Sequence, residues 1–117
     1  MLTVPANVSI FVAAKPIDGR KSFRGLVAIV QGEFQMEATS GNLFVFVNKR
    51  CNQIKLLFWD RNGFWLMCKR LEQGTFRHLT PLSDESKCIE IDTADLGMLL
   101  EGVDLVNLRR KRYKLTS

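Results

Sequence analysis

The sequence predicts an α+β fold: one antiparallel sheet with a central three-stranded meander, one N-terminal helix and one or two short C-terminal helices. Three observations carry this. Residues 43–71 hold three strand-like runs joined by hairpin-length turns. A helical i, i+3, i+4, i+7 apolar pattern precedes them, and an alternating run followed by a short apolar helical pattern comes after. With 117 residues there is enough chain for one core and too little for two, so the domain is expected to span residues 1–108, with a basic arm at 109–117.

The elements follow in order. Residues 9–14 form a short apolar run stopped by Lys15 and Pro16, which suits a first strand. Asp18 is a candidate helix N-cap, and Phe23, Leu26, Val27, Val30 and Phe34 then give a helix one apolar face. The Ser40-Gly41 pair marks a loop. Strands are expected at 43–48, 53–60 and 64–71; Asn62-Gly63 is a strong primed-turn signal, although Arg61-Asn62 serves equally as the turn. Either choice puts Leu57, Trp59, Phe64 and Leu66 on one sheet face, and Ile54, Leu56, Phe58, Trp65 and Met67 on the other. Both faces are apolar, so two covers are needed. The N-terminal helix supplies one; the C-terminal helix or another protein supplies the second. Trp59 and Trp65 are read as core. Residues 87–92 alternate like an edge strand, and Thr93 is a candidate cap for a short helix ending at Gly102.

Charge is segregated along the chain. Residues 1–82 carry a net +6, residues 83–108 a net −6 and residues 109–117 a net +5. Such an arrangement suits a polyanion partner, and nucleic acid above all. No apolar run approaches a membrane span, and the opening Met-Leu-Thr-Val-Pro lacks the basic and apolar regions of a signal peptide, so no membrane partner and a cytoplasmic location are expected. Cys51, Cys68 and Cys88 are too far apart for a zinc motif and odd in number for a disulfide framework.

Enzyme chemistry finds little support. His78 stands alone, and no phosphate-cradling glycine motif or nucleophile elbow is present. A two-metal strand-transfer site needs several clustered carboxylates. Asp18, Asp60 and Glu72 are better explained as a cap, a turn entry and a strand exit. No catalytic residue, metal or cofactor is therefore expected.

Cations make the better case. Arg20, Lys21 and Arg24 are placed in the first turns of the helix, where free backbone N–H groups also favour phosphate. Lys49 and Arg50 in the first hairpin loop, with Lys69 and Arg70 ending the third meander strand, should meet at one edge of the sheet. Solvated faces and edge-strand protection are the competing explanations. The arm Arg109, Arg110, Lys111, Arg112 and Lys114, with Tyr113 among them, is the expected sequence-independent phosphate contact.

Several blocks occur together at a familiar spacing: residues 16–26 (Pro-Ile-Asp-Gly-Arg-Lys-Ser-Phe-Arg-Gly-Leu), 40–50 (Ser-Gly-Asn-Leu-Phe-Val-Phe-Val-Asn-Lys-Arg), 54–60, 63–66 and 69–76. In this order the chain resembles the TnpB-like accessory proteins of bacterial insertion sequence family sixty-six, over residues 1–76. The resemblance implies a small non-catalytic protein assisting transposition beside a separate transposase, distinct from the large RNA-guided nucleases that share the TnpB name. Arg20, Lys21, Lys49, Arg50, Lys69 and Arg70 match its basic positions. Arg24, Met36-Glu37-Ala38 and Arg77-His78 depart from its pattern. The expected function is a non-enzymatic transposition accessory factor with DNA and the element's transposase as partners. The alternative is a protein-interaction module that binds the transposase or forms a homodimer through an apolar sheet face.

Overall fold

The computed structural model describes residue 5, residues 7–77 and residues 85–102. Expectations about His78, residues 103–108 and the arm at 109–117 lie outside the described residues.

The described chain runs β1 (Ile10–Ala13), α1 (Phe23–Gly32), β2 (Leu43–Val47), β3 (Gln53–Asp60), β4 (Gly63–Arg70), β5 (Cys88–Ile91) and α2 (Thr93–Glu101). The class is α+β, but the sheet is mixed rather than antiparallel. Its order is β4-β3-β2-β1-β5, and β1 pairs with β2 in parallel, Ile10 opposite Leu43 and Val12 opposite Val45. The reason is α1: two strands joined by a helical crossover return in the same direction, whereas a hairpin would reverse them. The meander β2-β3-β4 is antiparallel as predicted, but it forms one side of the sheet instead of the centre. β5 closes the other side antiparallel to β1, the edge position that its alternation predicts.

Burial explains the composition of each strand. β2, Leu-Phe-Val-Phe-Val, lies in the middle of the sheet with both faces covered and so has no polar position. On one face Phe44, Phe46 and Leu57 pack under Leu26 and Val30 of α1, joined by Phe34, whose ring stacks on Phe46 at 6.1 Å. On the other, Ile10, Val12, Val45, Ile54 and Leu56 pack with Phe76 under Leu96 and Leu99 of α2. Both covers therefore come from the chain itself.

Local corrections follow from hydrogen bonding. Asp18 is not the cap of α1. Ser22 holds that position, without a side-chain cap bond, and Asp18 folds a turn ahead of the helix instead. α2 is capped by Asp92 rather than Thr93: the Asp92 carboxylate accepts from the Asp95 N–H at 2.7 Å. Among the described residues there is one C-terminal helix, ended by Gly102 at φ 77°, where a Cβ would come within 2.8 Å of Leu71. The β3–β4 turn uses Arg61-Asn62, with Asp60 paired to Gly63. Trp65 is not a core residue: it is 57% exposed, stacks on Phe58 at 6.4 Å and donates its indole N–H to Asp60.

Candidate nucleic-acid interface

The mixed topology collects one end of every strand. β1 and β2 finish there, β3 and β5 start there, and β4, antiparallel to β3, also finishes there. Each of those ends carries a cation. Lys15 follows β1, Lys49 and Arg50 follow β2, Lys87 precedes β5, and Lys69 and Arg70 close β4. Asp60 and Asp92 lie at the opposite end, where β3 and β5 finish. Most cations of the strand ends are thus gathered at one end of the sheet, although Arg61 lies in the β3–β4 turn at the other end and Asp18 stands among the cations.

Two adjoining grooves mark the basic end. One, of about 290 Å³ on the α1 side, is lined by Lys15, Lys21, Lys49 and Lys87, with Asp18 and Glu33 among apolar groups that include Ile17, Ile29 and Phe34. The second, about 260 Å³, shares Ile17, Asp18 and Lys49 and adds Gly19, Asn48 and Arg50. The segment after β1 reaches the β2–β3 loop through an N–H bond from Ile17 to the Val47 carbonyl at 2.9 Å. Gly19 lies close to the β2–β3 loop: a Cβ there would come 2.5 Å from Gln53 Oε1, the movable tip of a side chain. Asn48 braces the loop, its Oδ1 accepting from the N–H groups of Asn52 and Gln53, each at 3.0 Å. Cys51 takes a left-handed φ of 57° in the same turn. Lys49 and Arg50 therefore project from a fixed turn.

The predicted cations divide into free and committed groups. Arg20 and Lys21 precede α1 rather than lying within it, and Arg24 alone stands in its first turn, exposed. Arg20 is occupied: its guanidinium grips the Asp18 carboxylate at 2.9 and 3.2 Å, and its N–H adds a bond at 2.9 Å. Those bonds hold the Asp18 carboxyl well below the usual carboxylate range. Lys69 is occupied too, its ammonium 2.8 Å from the Leu100 carbonyl at the end of α2. That helix has no basic residue of its own in its last turn, so Lys69 complements the negative end of its dipole. Lys49, Arg50 and Arg70 are exposed, with Arg70 opposite Gln53. Sequence reasoning missed Lys15, Lys87 and Arg77. Arg77 and Lys15 line a small cleft with Pro16, Val47 and Asn48. Lys15 and Lys87 are distant in sequence, and only the β1–β5 ladder joins them, through the Ala14 N–H bonded to the Lys87 carbonyl at 3.0 Å.

Lys55 is the buried charged residue of the described chain. It is 8% exposed on β3, and its ammonium donates to the Lys21 carbonyl just ahead of α1. Among the described residues no three His, Cys, Asp or Glu side chains gather as a metal site. Burial, with Glu90 nearby, pushes the Cys88 thiol up from its ordinary pKa, which disfavours a thiolate there. No helix among the described residues is long and apolar enough to cross a membrane.

Fold and site together define a small mixed-sheet module with a helix on each face and a cationic groove at one end. The chain belongs to the family described as IS66 Orf2 like protein, which it matches over residues 8–110, well past the blocks that carry the resemblance and through β5 and α2. It is thus a transposition-associated accessory protein of an insertion sequence. Uncharacterized protein y4jC of Sinorhizobium fredii is 32% identical over 114 residues, 97% of this chain and 95% of that protein. Uncharacterized protein y4hO of the same species is 36% identical over 104 residues, covering 89% and 88%. No solved structure matches the chain.

Proposed function

We propose that this protein is a non-catalytic accessory factor that holds the phosphate backbone of transposon DNA against the basic end of its sheet. The supporting observation is the convergence of Lys15, Lys21, Lys49 and Lys87 on one groove from three separate segments, the β1–α1 connection, the β2–β3 loop and the approach to β5, with Arg50 in the adjoining groove. Ammonium groups act as point charges that neutralise phosphates without reading bases, so binding should be strong at low salt and weakly sequence-dependent. Arg109, Arg110, Lys111, Arg112 and Lys114 add a second sequence-independent contact. Arg20 and Lys69 contribute field rather than contacts, because each already has a partner. The transposase of the same element is the protein partner in this scheme.

The test is a salt titration of duplex binding by wild type and by the triple variant Lys15→Gln, Lys49→Gln, Lys87→Gln. All three side chains are exposed, so the fold should persist. With each lysine on one phosphate, the slope of log affinity against log salt should flatten by roughly three, and low-salt affinity should fall. An unchanged slope in the folded variant would refute the groove as the phosphate site.

A further inference from the structure

The two edges of the sheet are built differently. β5 is a four-residue edge carrying Glu90, short and charged as protected edges are. β4 is a regular eight-residue edge with no proline and no bulge, every residue from Gly63 to Arg70 paired one-to-one with β3. Among the described residues nothing pairs with its outer side. Its cationic end is also weaker protection than the sequence suggests, because the Lys69 ammonium is bonded to the Leu100 carbonyl.

The hydrogen-bond parity of this edge can be worked out. Leu71 donates its N–H to the Asn52 carbonyl at 2.8 Å, continuing the β3–β4 ladder. Hydrogen-bonded pairs alternate in an antiparallel ladder, so the odd residues of β4 bond inward to β3. Phe64, Leu66, Cys68 and Arg70 therefore point their N–H and C=O groups outward. Beside them, on the α2 face, stand Trp65 at 57% and Met67 at 42% exposure, two of the largest apolar side chains left open.

We propose that this edge is a homodimer interface, in which β4 pairs antiparallel with β4 of a second copy about a two-fold axis at Leu66. Charge selects the antiparallel direction. It sets Lys69 and Arg70 beside Gly63 and Asn62 of the partner subunit, whereas a parallel pairing would stack the cations on their own copies. Parity requires even residues opposite even residues. Of the two registers with the longest overlap, the one centred on Leu66 places Trp65 opposite Met67 twice, and the one centred on Met67 places Trp65 opposite Lys69. The first covers both exposed apolar side chains and is the one assigned. Two five-stranded sheets then become one continuous sheet.

Sedimentation velocity across a concentration series tests this. Wild type should double its mass from 13.4 kDa. Cys68→Pro removes only an outward N–H, and Trp65→Lys puts a charge at the seam; each should weaken the dimer by roughly tenfold or more with the circular dichroism spectrum kept. Should the proline variant unfold, Trp65→Lys decides, since its exposed ring leaves the core intact. Register is read separately: under mild oxidation Phe64→Cys should link to Cys68 of the partner subunit, because directly opposed Cα atoms lie within disulfide reach. A monomer at every concentration, a dimer indifferent to both edge variants, or a wild-type Cys68–Cys68 link would each overturn the proposal.

Discussion

Lys55 offers the sharpest test of how the site is held. Its stem runs beneath the start of α1 and its ammonium bonds the carbonyl of Lys21, one of the groove cations. Replacing it with Met keeps most of the stem and removes the charge. A hydrogen bond from a charged donor contributes about 1.5–3 kcal/mol net. Two effects lower that figure here: methionine no longer has to be desolvated, and Lys21 is exposed, so water reaches the freed carbonyl. The loss should be about 1–2 kcal/mol, a fall of roughly 3–8 °C in Tm for a domain of this size. Lys55→Ala also strips about three buried methylenes, worth roughly 2 kcal/mol more. Thermal and urea melts of both variants measure these losses directly. Because the ammonium is hidden, DNA affinity at a temperature where both variants are folded should fall far less than in the groove triple variant. A Lys55→Met protein as stable as wild type would refute the anchoring role. One that keeps its stability but loses DNA binding would make Lys55 a contact instead.

Two other outcomes separate committed cations from free ones. Lys69→Ala should cost about 0.5–1 kcal/mol in urea melts by uncapping the end of α2, while leaving the salt slope of DNA binding unchanged; a flattened slope would return Lys69 to the phosphate surface. Asp18→Asn should weaken the turn ahead of α1 at neutral pH. Because the folded carboxyl is held low by Arg20, its contribution is present above the ordinary carboxylate pKa and is lost as pH falls through the lower folded value. The stability gap between wild type and variant should thus hold at pH 5–7 and shrink below about pH 4; a gap growing on acidification would contradict the pairing.

What the sequence made legible was whatever depends on local period. The three meander strands, their antiparallel pairing, the two apolar faces and the edge position of β5 all follow from alternation and turn chemistry within short windows. The helix caps were missed because Asp18 and Thr93 are good capping residues that lie close to the true positions. Asp18 was drawn to Arg20 instead, and Asp92 capped α2 just ahead of Thr93. Trp65 was misplaced because periodicity assigns a face and does not say how far a cover extends; α2 reaches Ile54 and Leu56 but leaves Trp65 exposed.

The parallel pairing was the costliest omission, since the site depends on it. Had β1 run antiparallel to β2, Lys15 would have been carried to the end of the sheet that holds Asp60, and the β1–β5 ladder would have taken Lys87 with it. The cations of the N-terminal half would then have been split between two ends. The crossover through α1 brings the exits of β1 and β2 together. The turn at Asp18 places Lys21 beside them, and the β5 ladder adds a lysine from the otherwise acidic segment 83–108. The charge segregation read along the chain is therefore not the one a partner meets. A polyanion approaching the folded protein meets lysines from both the basic and the acidic segments, which is why the triple variant takes one residue from each of three elements rather than from one run.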